Sequence, residues 1–244
     1  MNMLIRSDFF SMAGVGKINE DACSCRALKD GTFIALVADG VGGNYGGGIA
    51  SALAEKVALE TLESDPLTPL TRVLALIAEA IKKRGAEDLI SSQMATTLSL
   101  CVVHNDGLVR IAHVGDSRIY HLRRAGILQK TRDQTEVAAL IAAGILSNEQ
   151  AKTYPRRTVL QSALAAKGSY EVFQTEFNLE KDDRVVLLTD GVYRLISKAR
   201  LRDISINSEN VEQLALSLKE EIDGRNDDDA TVVVFQALEP QASD

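Results

Sequence analysis

Residues 33–48 read FIALVADGVGGNYGGG, and the fold turns on how the first seven are taken. Phe33 to Ala38 is wholly apolar, with none of the three-to-four spacing of a helix face, which predicts a short strand buried on both sides. The run stops at Asp39 and then breaks into glycines. A carboxylate at the mouth of a core strand is costly unless it is paired or holds a cation, so Asp39 is a candidate metal ligand. Gly40, Gly42 and Gly43 let the backbone approach whatever Asp39 holds, with a carbonyl as a further oxygen donor. An isolated Asp-Gly pair is more often a plain turn. Recurrence of the same device elsewhere in the chain shifts the balance.

Val114-Gly115-Asp116-Ser117-Arg118 is a second strand end with a glycine and an acid, and Arg184 to Thr189, RVVLLT, is a third, ending in Asp190-Gly191. Asn226-Asp227-Asp228-Asp229 runs straight into the β-rich stretch Thr231 to Phe235. Asn19-Glu20-Asp21 precedes a strand on which Cys23 and Cys25 alternate. Neighbouring acids on extended chain point opposite ways, so one faces a cation while the other orients a ligand, unless the pair simply caps a solvated turn. Glu20, Asp39, Asp116, Asp190 and Asp228 can thus converge at one end of a sheet pair. Oxygen-only donors select hard cations, Mg²⁺ or Mn²⁺, over zinc. Two such ions about 3.5–4 Å apart suit phosphoryl chemistry, where they activate a water and clamp phosphate oxygens. No P-loop pattern is present, so a nucleotide held in that way is not expected.

The rest of the chain reads as scaffold. Met3 to Phe10 predicts a first strand. Two helices follow the glycines, one ending near Ser64-Asp65-Pro66 and one opened by Thr68 as N-cap with Pro69 at its first position. Ala95 to His104 and Leu108 to His113 are strands joined at Asn105-Asp106-Gly107, a hairpin signal. His104, His113 and His121 fall near these strands without metal spacing and read as structural. From Leu128 the pattern turns helical, with Thr135 to Ala143 closed by Gly144 and a capping box at Ser147 to Gln150. This insertion, ending in Pro155-Arg156-Arg157, is either a flap over substrate or an inert excursion. Val172 to Phe177 predicts a strand, and Val211 to Ile222 a last helix before Gly224.

Composition bounds the function. The 244 residues carry a net charge of -7, with no basic stripe, so nucleic acid is not an expected partner. No apolar run is long enough to span a bilayer. The three cysteines form no zinc pattern, and an odd count without a signal peptide points to a reducing, cytoplasmic setting. A single domain over residues 1–238 with a tail at 239–244 and a monomeric state are expected.

The order NEDA at 19–22, ADGVGG at 38–43, TTL at 96–98, HVGDSR at 113–118, TRDQT at 131–135, PRR at 155–157, LLTDGV at 187–192 and DDDATVVV at 227–234 resembles the bacterial metal-dependent (type 2C) protein serine/threonine phosphatases. The resemblance implies an α+β fold, an α-β-β-α sandwich of two mainly antiparallel sheets flanked by helix pairs. It implies two Mn²⁺ or Mg²⁺ ions: one held by Glu20, Asp39 and the Gly40 carbonyl, the other by Asp39, Asp190 and Asp228, with Asp21 orienting ligands or water behind them. The implied reaction is in-line attack of an activated water on phosphoserine or phosphothreonine of a protein, opposing a bacterial serine/threonine kinase. Three positions depart from the family pattern. Gly16 stands where an arginine usually grips the phosphate, leaving Lys17 and Arg194 as candidate phosphate contacts. Arg194 replaces an acid that partners Asp116 around a third ion, so two ions are expected. Asn44 stands where many relatives have His, which leaves the leaving group to be protonated by solvent. A catalytically weakened, phosphoprotein-binding member and a small-molecule phosphoesterase remain the alternatives.

Overall fold

The computed structural model describes residues 3–41, 46–87 and 91–238. In chain order the elements are β1 (Leu4–Met12), β2 (Ala22–Ala27), β3 (Phe33–Ala38), β4 (Gly40–Val41), α1 (Gly46–Ser64), α2 (Leu70–Gly85), β5 (Ala95–Thr96), β6 (Leu98–Val103), β7 (Leu108–Val114), β8 (Arg118–Arg123) and β9 (Gly126–Gln129). They continue with α3 (Glu136–Ala142), α4 (Asn148–Lys152), β10 (Leu164–Ala165), β11 (Phe173–Asn178), β12 (Arg184–Leu188), α5 (Asp190–Tyr193), α6 (Lys198–Asn207), α7 (Val211–Ile222) and β13 (Ala230–Leu238). One sheet has the order β1-β13-β12-β8-β9, the other β11-β7-β6-β3-β2, and a small ribbon β10-β5-β4 lies beside them. Every recorded pairing is antiparallel.

The two-sided burial expected of residues 33–38 follows from the layering. Phe33, Ala35 and Val37 point between the sheets, where they meet Val185, Leu187, Val233 and Phe235. Ile34, Leu36 and Ala38 point the other way, into a second core with α1 and α2. Val186, Leu188, Val232 and Val234 do the same for a third core under α6 and α7. Strands covered on both faces must be apolar at every position, and this is why the sequence shows runs there instead of alternation. The architecture is the α-β-β-α sandwich.

Several local features differ from expectation. Leu128 lies in β9, a solvent-facing strand too short for a clear period. Two helical segments, α5 and α6, precede the last helix, and Asp190 opens the first of them instead of ending a strand. Helix α2 begins after Pro69, which has φ -56° and ψ 130° and gives no side-chain cap. The Thr68 hydroxyl instead donates to Asp65 Oδ2 at 3.2 Å, so it belongs to the preceding turn. The Asn105–Gly107 hairpin is present, with Gly107 at φ 87°. The capping box is complete, the Ser147 hydroxyl accepting from the Gln150 N–H and the Gln150 side chain accepting from the Ser147 N–H. Asn44 and the 239–244 tail lie outside the described residues.

The Phe33 and Phe235 rings meet across the sheets at 5.3 Å between centroids, and Phe235 is fully buried. Phe235→Ala is expected to destabilise the fold by about 3–5 kcal/mol through lost transfer energy plus a cavity. Urea unfolding should show a lower midpoint with an unchanged slope.

Candidate active site at one end of the sheets

Each acid is placed by a backbone element that ends at the same edge. Asp39 follows β3, where its N–H donates to Thr97 Oγ1 at 3.0 Å and its carbonyl accepts from the Thr97 N–H at 2.9 Å. Thr97 breaks the expected 95–104 strand into β5 and β6, and that break is what ties the two chain segments to Asp39. Asp190 is the first residue of α5, with Thr189 as its N-cap. The Thr189 hydroxyl donates to Asp21 Oδ2 at 2.9 Å and accepts from the Thr231 N–H at 3.0 Å, so one side chain joins three motifs. Asp116 sits in the β7–β8 turn and accepts from the Tyr193 hydroxyl at 3.1 Å. The Arg118 guanidinium lies 3.7 Å from the Tyr193 ring centroid and pairs with Asp133, which fixes the tyrosine over the site.

The electrostatics record how tightly these carboxylates are packed. Burial, then the charges of Asp21, Asp190, Asp116 and Asp228, push the Asp39 carboxyl well above its usual range. Burial likewise raises Asp21 and Asp116 to about 7. Asp190 is raised by burial and by Asp228 against the opposing pull of Arg194. The second oxygen of Asp21, Oδ1, is buried without a partner. Carboxylates this close cannot all be charged without a cation or shared protons. An oxygen-only donor set, mutual repulsion and an orphaned carboxylate oxygen together fit a hard divalent cation.

Asp228 differs from the rest. Burial would raise it, but Lys17 and Arg194 outweigh burial and hold it below the ordinary carboxylate range. Lys17 Nζ lies 2.8 Å from Oδ1 and Arg194 Nη1 lies 3.1 Å from Oδ2. Arg194 also pairs with Asp190. The two cations expected to face a phosphate therefore face Asp228. Among the described residues, no group of three or more acids, histidines or cysteines is gathered in metal-holding geometry.

Glu20 turns toward α1, accepting from the Gly48 N–H at 3.2 Å in its first turn. Gly40 packs so closely on the Glu20 carbonyl and on Gly47 that a Cβ would sit 2.4–2.5 Å from their atoms, so a side chain there would prise the loop from the helix. Helices α3 and α4 of the insertion bound a cavity of about 290 Å³ whose walls include Arg157, Asp116, Tyr193 and Arg194. Arg156 instead pairs with Glu136 at 2.7 Å. His113 is buried, with Nδ1 2.9 Å from the Ser99 hydroxyl and its pKa lowered by burial to about 4, so it is a neutral structural group. Cys23, Cys25 and Cys101 are free thiols, and burial raises all three.

One functional residue escaped the sequence reading. Asp229 accepts from the Gly14 N–H at 2.8 Å through Oδ1 and from the Glu20 N–H at 2.7 Å through Oδ2, clamping the loop that carries Lys17 and Glu20. Within a run of acids nothing distinguishes a ligand from a backbone acceptor; the cue is only that it is the last acid before the strand. Asp229→Ala should destabilise the fold by about 1–3 kcal/mol, leaving two N–H groups short of an acceptor. Hydrogen exchange should locate the loss at residues 14–20; protection unchanged there would remove the clamp.

The protein phosphatase 2C family model matches residues 11–222. The serine/threonine phosphatase stp of Listeria welshimeri is 31% identical over 195 residues, covering 76% of this chain and 77% of the relative. Protein phosphatase PhpP of Streptococcus pneumoniae is 28% identical over 193 residues, covering 76% and 78%. Among solved structures, the Mycobacterium tuberculosis serine/threonine phosphatase PstP/Ppp has a TM-score of 0.86 at 27% identity, over 96% of this chain and 99% of the other. The catalytic domain of PstP in complex with two manganese ions gives 0.83 at 27%, over 97% and 100%. Among the described residues no helix is long and apolar enough to cross a membrane. The family match, the sandwich and the acids gathered at its edge agree: this chain belongs to the protein phosphatase 2C family and is a protein serine/threonine phosphatase.

Proposed function

We propose that the chain hydrolyses phosphoserine and phosphothreonine on proteins at a dinuclear Mn²⁺ or Mg²⁺ site, opposing a bacterial serine/threonine kinase in the cytoplasm as a monomeric, single-domain enzyme spanning residues 1–238. The observation that supports this reading best is the convergence of acids from separate motifs at one edge of the sandwich, where Thr97 fixes Asp39, Thr189 holds Asp21, Tyr193 holds Asp116 and Arg194 joins Asp190 to Asp228. Glu20, Asp39 and the Gly40 carbonyl would hold one ion, and Asp39, Asp190 and Asp228 the other. When bound, two such cations supply Lewis-acid activation of a water and neutralise phosphate oxygens.

The chain's own groups supply position and charge. Asp39 serves both halves of the site because β3 delivers it to the seam between the sheets. Asp21 accepts from Thr189 and thereby keeps the β2 and β12 ends in register. Lys17 and Arg194 bring the positive charge that draws in a phosphate, in place of the arginine absent at Gly16. In-line attack on phosphorus requires no nucleophile from the protein, and solvent protonates the departing seryl or threonyl oxygen. Asp116 lies beside Arg194, whose charge occupies the place of a third ion's second acid, so two ions are the expected complement.

Phosphate release from a phosphothreonine peptide should require Mn²⁺ or Mg²⁺, stop with EDTA, and fall at least about 10²–10³-fold in Asp39→Asn and Asp190→Asn. Tight phosphopeptide binding without turnover would instead establish a binding module. At saturating Mn²⁺, Lys17→Ala and Arg194→Ala should raise KM for the phosphopeptide by about tenfold each, the loss of one charge-assisted contact. An unchanged KM in either variant removes that residue from the phosphate site.

A further inference from the structure

The Asp190–Asp228 pair is bridged by a guanidinium. Arg194 stands four residues after Asp190, at the end of the α5 turn, so its side chain folds back over the acid that opens the turn. One end of its fork pairs with Asp190 Oδ2, and the other reaches Asp228 Oδ2 at 3.1 Å. Lys17 Nζ takes the remaining Asp228 oxygen at 2.8 Å. A guanidinium is a permanent planar cation whose fork suits two acceptors at once, unlike the point charge of a lysine. Here it joins carboxylates from two separate segments, α5 and the loop entering β13.

We infer that Arg194 is the resident counter-ion of Asp190 and Asp228, which a divalent cation must displace in order to bind those carboxylates. The inference rests on the proposed ligand set, in which the same two acids share an ion. Metal binding in this chain is then an exchange of one cation for another. Two consequences follow: the metal-free protein keeps its acids together, and metal affinity is lower than the same carboxylates would give without the arginine. Once displaced, the guanidinium is free to face an anion beside the ion, which accounts for a phosphate contact at a position outside the usual one.

The test uses metal-stripped full-length protein, titrated with MnCl₂ in a calorimeter and melted in parallel without metal. Arg194→Met should bind Mn²⁺ about tenfold more tightly than the native chain, the equivalent of about one charge-assisted pair. Its metal-free form should melt lower, with the gap closing at saturating Mn²⁺. Arg194→Lys, which keeps the charge but cannot bridge both acids, should also bind more tightly; native-like binding there would mean that charge alone, not bridging, sets the affinity, and overturns the inference. Unchanged or weaker binding in Arg194→Met overturns it as well. Asp190→Asn separates the two levels. If it binds weakly while Arg194→Met is unchanged, the ligand set stands and the exchange alone falls. If Asp190→Asn binds as the native chain does, the ligand set and the exchange fall together.

Discussion

Repulsion among buried carboxylates is the constraint on which the structure depends. Asp21, Asp116 and Asp190 each bear on a neighbouring acid at one edge of the sandwich, all three bear on Asp39, and burial strengthens those interactions, while Asp228 at the half-exposed rim bears on Asp39 and Asp190. Left to itself such a cluster would spread apart or take up protons. It holds because each acid is attached to a rigid element whose position is set by packing far from the charge. The apolar cores hold the acids together against that repulsion.

The attachment is mostly backbone and hydroxyl, not charge. Thr97 fixes Asp39, Thr189 links Asp21 to the β12 and β13 ends, and Asp229 clamps the loop of Glu20. Close approach completes the arrangement. A Cβ at Gly191 would meet the Asp229 carbonyl at 2.1 Å, and one at Gly14 would lie 2.9 Å from the Asp228 backbone, so the acidic loop can lie flat against both neighbours. Glycine is needed at these positions for space, not for an unusual backbone angle.

Much of this was legible in residue order, and the limits have physical causes. The strands at 33–38 and 184–188 and the last helix were readable because burial dictates apolar residues in fixed patterns. The acids Asp39, Asp116, Asp190 and Asp228 were readable because a charge at the end of an apolar run is conspicuous. Strand β9 and helices α5 and α6 were not, being short or weakly amphipathic. Helix α6, KARLRDISIN, mixes charged and β-branched residues and follows only a Ser197 cap. The roles of Asp229 and Arg194 were hidden for a different reason. Which partner an acid or a guanidinium takes depends on distances between segments far apart in sequence, and no local pattern encodes them.

The seam between the sheets explains why those distances can be controlled at all. Asp39 and Asp21 come from the sheet containing β3 and β2, whereas Asp190 and Asp228 come from the sheet containing β12 and β13. Asp116 lies in the connection where the chain crosses from β7 in one sheet to β8 in the other. Packed sheets stand about 10 Å apart, a separation fixed by the side chains interleaved between them. Carboxylates from the two rims face one another across that gap, and the charge of Asp190 from one sheet helps raise Asp39 from the other. The spacing of the acids is thus inherited from Phe33, Val37, Leu187 and Phe235 in the inter-sheet core. Because a close-packed core deforms little, it can hold like charges closer together than their own repulsion would leave them.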